Sequence, residues 1–263
     1  MSPTANLIAN DAEMETDVPS APPCNLYSDE PEMETNLHLR QMLLFIACLD
    51  WLWRDRDDYF CAGNLTVYYS DKCIKNRDFR GPDFFVALGV EQRERKSWTI
   101  WEEDGKYPDV IIEILSDTTA KVDRTTKKDL YQNTFRTPEY FWFDPQTLEF
   151  QGFSWNRGVY QAIDPNPQGW MWSDCLQLFL GVHAHQLRFF TPAAELVPTP
   201  QEAALLAQEA ALIAQQTALA AEQQQSAAEQ QQSAAEQRAI QADQRADRLA
   251  AKLRELNIDP DAL

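Results

Sequence analysis

Two acids and one amine carry the chemistry that this sequence allows. In YPDVIIEILSDTT, residues 107–119, the run Val110-Ile111-Ile112-Glu113-Ile114-Leu115 is aliphatic and largely β-branched apart from Glu113. A carboxylate in the middle of such a strand is costly unless a partner or a ligand holds it. Alternate residues of a strand share a face, so Asp109, Ile111, Glu113 and Leu115 lie together. Upstream, GPDFFVALG puts Asp83 at the start of another strand. If the two strands form an antiparallel hairpin closed by the charged loop around EQRERKSW, Asp83 lies near Glu113 or Leu115, and Asp109 lies at the far end near Ala87. Two carboxylates so close repel one another unless a cation stands between them. An oxygen-only pair suits Mg2+, a hard ion that keeps several waters and accepts phosphate oxygens. Such an ion lowers the pKa of a bound water and stabilises an in-line attack on a phosphodiester.

The amine comes from the next helix. Lys127, Tyr131 and Phe135 recur at i, i+4 and i+8, on one face that two aromatics turn toward the sheet. Lys127 on that stripe either steadies the attacking water and the transition state or snorkels past the aromatics to solvent.

These residues need elements to position them. Thr35 caps a helix in NLHLRQMLLFIACLDWLWRD, where Leu39, Met42, Leu43, Ile46, Leu49 and Trp53 recur at helical spacing. LTVYYS, DFFVALGV, DVIIEILS, EYFWFD and HQLRFF read as strands. DRTTKKDLYQNTF reads as a helix with Asp123 as its cap. LEFQGFSW and VYQAI flank Asn156-Arg157-Gly158, a hairpin signal. Helix, three strands, helix, strand is an α/β or α+β order, with helices packed on one sheet.

The chain divides by composition. Residues 1–34 are acidic, Pro-rich and without a period that builds a core, the signature of disorder. Residues 35–196 hold most of the 29 aromatics and form the folded domain. Residues 197–257 read as a helical tail: Thr199-Pro200-Gln201-Glu202 has capping-box spacing, and AAEQQQS at Ala220 and again at Ala227 sets a seven-residue period. Residues 258–263 are an unstructured end. The tail is either a Gln-rich solvated helix or a weak coiled coil that joins copies of the chain, because an alanine seam buries little area per turn.

Charge and composition exclude other classes. A net charge of −18 opposes passive binding to nucleic acid, which needs Lys and Arg on phosphates. The five cysteines lack metal-ligand spacing and read as cytosolic thiols. No apolar run approaches ~18 residues, so neither a membrane span nor a signal peptide is expected, and the protein is read as cytoplasmic. His38, His183 and His185 are the only histidines; His183-Ala184-His185 has strand-like same-face spacing, but no acid or Cys completes a metal set near it. Trp51, Trp53, Trp170 and Trp172 read as packing residues.

GPDFFVALG, YPDVIIEILSDTT, VDRTTKKDLY and PEYFWFDP, in that order, resemble the bacterial endonuclease family called Uma-two, of the restriction-endonuclease-like PD-(D/E)XK superfamily. The resemblance spans roughly Asn36 to Phe190. It implies a restriction-endonuclease-like core, a mixed central sheet flanked by helices, with a magnesium-dependent site for phosphodiester hydrolysis in nucleic acid. Asp83 matches the Pro-Asp acid and Glu113 the second acid, and these two would hold the metal. The Lys expected two residues after Glu113 is Leu115 here. That Lys can migrate to the neighbouring helix in the superfamily, and Lys127 falls where the family pattern has it. The other reading is an inactive nuclease fold that acts as an interaction protein assembling through its tail.

Overall fold

The computed structural model describes residues 24–29, 35–69, 79–116 and 120–255. The chain divides into two units, Met1–Thr199 and Pro200–Leu263.

In the first unit, helix α1 (Asn36–Leu52) starts at Thr35, whose hydroxyl accepts the His38 backbone N–H. Strands β1 (Tyr59–Gly63), β4 (Phe84–Leu88), β6 (Val110–Ile114), β7 (Glu139–Phe143), β8 (Phe150–Asn156) and β9 (Val159–Ala162) form one six-stranded sheet in the order β1-β4-β6-β7-β8-β9. β6 and β7 run parallel and the other neighbours antiparallel, so the sheet is mixed. The parallel step needs a crossover, and α2 (residues 120–135) supplies it. Two small sheets complete the unit: β3-β2-β5, from Phe79–Arg80, Val67–Tyr68 and Trp98–Thr99, and β10-β11-β12, from Met171–Ser173, Leu178–His183 and Gln186–Phe190.

The central sheet is buried on both faces. Its Phe84, Val86, Val110, Ile112, Ile114, Phe141 and Phe143 pack with Met42, Phe45, Cys48 and Leu49 of α1 and with Leu180, Leu187 and Phe189 of the β10–β12 sheet. On the other face, Phe85, Ala87, Ile111, Leu115, Tyr140 and Trp142 pack with Tyr131 and Phe135 of α2 and with Val67 and Trp98. Burial on both faces explains why β4 and β6 read as continuous apolar runs.

Several expectations need correction. α1 is rotated from the face drawn through Leu39 and Leu43: both leucines are exposed, and His38 and Gln41 are buried instead. The Gln41 amide accounts for this, because Nε2 donates to Leu187 O at 2.8 Å and Oε1 accepts Leu187 N–H at 3.1 Å. It pairs backbone groups on the free side of β12. Asp123 is not a cap: α2 begins at Ala120, and Asp123 lies inside it with a fully buried side chain. α2 also winds with the wider π pattern over Asp123–Lys127 and Tyr131–Phe135. His183-Ala184-His185 is no same-face strand, because Ala184 and His185 form the left-handed turn between β11 and β12.

Residues 24–29, assigned above to the unstructured head, run along β2 and β5. Ser97 Oγ donates to Leu26 O at 2.8 Å, Ser28 N–H to Lys96 O at 2.9 Å and Asp29 N–H to Thr66 Oγ1 at 2.9 Å. The rest of that head, and residues 258–263, lie outside the described residues. The hairpin at Asn156-Arg157-Gly158 forms as expected, with positive φ at Arg157 and Gly158. Val197 is buried, its N–H bonded to Phe189 O, so it belongs to the first unit.

The second unit contains α3 (Pro200–Glu255), a helix of 56 residues and thus about 84 Å long. Leu205, Leu206, Leu212, Ile213, Leu219, Ile240 and Leu249 are all exposed on it.

Candidate active site

β4 and β6 pair antiparallel, with Phe84 opposite Ile112 and Val86 opposite Val110. One step beyond the first pair, Asp83 comes abreast of Glu113. Ile114 N–H donates to Asp83 Oδ2 at 2.7 Å, and Asp83 N–H donates to Glu113 Oε2 at 3.3 Å. Asp109 lies at the opposite end of the hairpin, where it accepts the Leu88 N–H at 2.7 Å and pairs with Lys106 at 2.8 Å. It takes no part in the site.

α2 brings the amine. Asp123, Lys127, Tyr131 and Phe135 follow one another every four residues along its inner row. Lys127 Nζ stands 3.0 Å from Glu113 Oε2 and 2.9 Å from Asp123 Oδ1. Tyr131 OH donates to Glu113 Oε1 at 2.7 Å. Both oxygens of Glu113 are therefore held, and its side chain has no exposure, against 15% for Lys127 and 24% for Asp83. The π winding belongs to this arrangement, since such segments recur where a helix aims side chains into a site.

Three carboxylates share one ammonium here, and the titration behaviour follows. Burial pushes Glu113 well above the ordinary carboxylate range; Lys127 opposes that shift, while Asp83 and Asp123 add to it. Burial pushes Asp83 up too, but His38, the Lys127 charge and the Ile114 N–H outweigh it and hold Asp83 below its ordinary value. Burial alone would lower Lys127, and Glu113, Asp83 and Asp123 reverse the sign, so its amine stays charged.

The donor set fits a hard divalent cation. Asp83 and Glu113 offer oxygen only, the ligand type that such an ion takes. Lys127 blocks Glu113 Oε2, but its bond to Asp123 gives it a place to stay once that oxygen is released. Among the described residues no three His, Cys, Asp or Glu side chains are grouped to hold a metal. The fit is thus that of a two-carboxylate site completed by water and phosphate oxygens.

Sequence reasoning missed His38 and Asp123. His38 Nε2 lies 3.7 Å from Asp83 Oδ2. Its signal was its place on the first turn of a capped helix, one turn before Gln41 and Met42. The signal for Asp123 was its place four residues before Lys127 on the same row. Leu115, where the superfamily pattern has its lysine, is buried among Phe85, Tyr131 and Phe135. His183 and His185 are exposed at their turn, and Trp170 stacks on Phe190 with ring centres 3.8 Å apart.

Two acids from adjacent antiparallel strands, with an amine from the helix that crosses to the next parallel strand, define a restriction-endonuclease-like core. The family described as "Putative restriction endonuclease" (Uma2) matches residues 26–185, and the chain belongs to it. Among solved structures it is similar to one described as a "putative nuclease belonging to DUF820" from Anabaena variabilis ATCC 29413. That likeness has 14% identity and a TM-score of 0.39, and covers 56% of this chain and 76% of that one. No curated protein matches the chain.

Proposed function

We propose that this protein is a magnesium-dependent cytoplasmic endonuclease that hydrolyses phosphodiester bonds in nucleic acid. The observation that carries the reading is the meeting of Asp83, Glu113 and Lys127 from two strands and a helix, with Glu113 Oε2 accepting the Asp83 backbone N–H at 3.3 Å and lying 3.0 Å from Lys127 Nζ. Asp83 and Glu113 would hold the metal. A magnesium ion bound there supplies Lewis acidity toward a phosphodiester oxygen and a water of lowered pKa. Lys127, kept charged by its acidic neighbours, donates hydrogen bonds to the attacking water or to the charge that builds on phosphorus. Asp123 retains the amine, and Tyr131 fixes the orientation of Glu113. The alanine-rich α3 joins copies of the chain as a coiled coil.

The test is relaxation of supercoiled plasmid DNA, with RNA and single-stranded DNA as parallel substrates, in Mg2+ and in EDTA. Wild type cleaves one of them only with the metal, and Lys127→Ala and Glu113→Ala each lose about 10²-fold or more. One observation favours a second reading, an inactive nuclease fold that assembles through its tail: Glu113 is sealed, with both oxygens already bonded. Wild type as inert as both variants on every substrate would leave only that reading.

A further inference from the structure

We propose that His38 is a positioning residue for Asp83 and thereby sets the affinity of the acid pair for its divalent cation. The inference rests on the nuclease reading above and adds a residue that the superfamily motif does not contain.

Asp83 stands just before β4, where the regular pairing of the sheet ends, and it is the most exposed of the three site groups. A carboxylate there keeps rotational freedom unless donors fix it. Ile114 N–H fixes Oδ2 from one side. His38, from α1 on the opposite face of the sheet from Lys127, stands 3.7 Å from the same oxygen. Asp83 is thus the point where side chains from both helical layers meet.

The ring is itself oriented. Thr35 Oγ1 accepts the His38 backbone N–H at 3.3 Å and lies 3.4 Å from His38 Nδ1. A hydroxyl that has accepted this N–H still has its own proton to donate, and Nδ1 is within reach. This contact on Nδ1 sets the ring so that its other nitrogen, Nε2, faces Asp83. α1 is a firm base for this pair: Gln41, one turn on, is bonded twice to Leu187, and Phe45 and Leu49 are fully buried. Thr35 holds His38, and His38 stands at charge-pair distance from Asp83, 3.7 Å and beyond a direct hydrogen bond; losing an outer group that aims a metal-binding carboxylate typically costs about 10- to 100-fold in metal affinity.

The experiment uses the full chain as wild type, His38→Ala and His38→Gln. Mn2+ binding is measured by calorimetry without substrate, and plasmid cleavage is followed across a Mg2+ titration. The Gln amide nitrogen can take the place of Nε2 and keep a donor toward Asp83. His38→Ala is expected to weaken Mn2+ binding about 10- to 100-fold. It should shift the Mg2+ midpoint of cleavage by the same factor, with cleavage largely recovered at saturating Mg2+. His38→Gln should stay within a few-fold of wild type in both. Unchanged Mn2+ affinity in His38→Ala, or an equal loss in both variants, would overturn the proposal and leave the nuclease reading in place. Should His38→Ala fail to fold, His38→Gln decides alone: affinity near wild type supports the role, and a tenfold loss removes it. Wild type that neither binds Mn2+ nor cleaves any substrate would remove the nuclease reading and this proposal together.

Discussion

Lys127 Nζ is shared between Glu113 Oε2 and Asp123 Oδ1, at 3.0 and 2.9 Å, and this fork gives the residue a structural duty beside the catalytic one proposed for it. Glu113 and Asp123 are both fully buried, and taking the ammonium away strands two charges away from water. Lys127→Met is therefore expected to cost about 3–5 kcal/mol, read as a fall in the urea midpoint at unchanged slope. Adding Glu113→Gln should recover part of that loss, because one stranded charge is gone. Losses that simply add would show that the two groups are not coupled. Tyr131→Phe deletes a single buried donor to Glu113 Oε1 and should cost about 1–3 kcal/mol in the same assay. At this scale the sequence revealed the acids and the amine through their types, since a lone Glu in an aliphatic strand and a Lys on an aromatic row stand out. His38 and Asp123 went unread, because a single His near a helix start or an Asp one turn before a Lys is a weak signal until the fold supplies its neighbour.

Among the elements, β7 is central to the large sheet, and a second buried acid ties its first residue to the turn after β10. Glu139 accepts from Ser173 Oγ, from Asp174 N–H at 2.6 Å and from Cys175 N–H at 3.2 Å. Burial nevertheless wins over these donors and holds the carboxyl above its ordinary 4.5. The folded protein thus binds this proton more tightly than the unfolded chain. Its stabilising effect is complete below pH 4.5 and is lost as pH climbs through the raised folded value. Thermal melts from pH 4 to 7 should show wild type losing stability with rising pH relative to Glu139→Gln, which cannot titrate; parallel curves would reject the assignment. Strand periodicity made β4, β6 and β7 legible and, with the hairpin rule, the side of the sheet on which Asp83 would meet Glu113. It did not reveal the rotation of α1. Apolar spacing favoured Leu39 and Leu43, whereas the amide of Gln41 satisfies two backbone groups of Leu187 and so draws its own face inward.

For the molecule as a whole, a net charge of −18 sets the terms on which a polyanion can approach. On the proposed reading, association with nucleic acid comes through a metal held at the acid pair and through nearby cations, and cleavage should therefore depend more on Mg2+ than on monovalent salt. Among its described residues α3 carries seven exposed large aliphatic side chains, several of them recurring every seven, such as Leu205, Leu212 and Leu219. If it joins copies of the chain, deleting everything from Pro200 onward lowers the mass found by light scattering and leaves the melt of the first unit unchanged. A mass that scales only with the shortened chain would reject assembly through the tail. Much of the seam is alanine and buries little per turn, so the oligomer should also dissociate on dilution.

Residue type, period and charge are local properties, and they were enough to mark the strands, the helix between β6 and β7, the acid pair, the amine and the long terminal helix, while the mixed sheet was expected from the family resemblance. Tertiary structure alone decided how those groups hold one another. Glu113 is sealed by Tyr131 and Lys127, Asp123 serves the amine instead of capping its helix, and an imidazole from the opposite layer faces Asp83. Each is a contact between residues 4 to 45 positions apart, and its energy depends on burial and on distances of a few ångströms that no local pattern encodes.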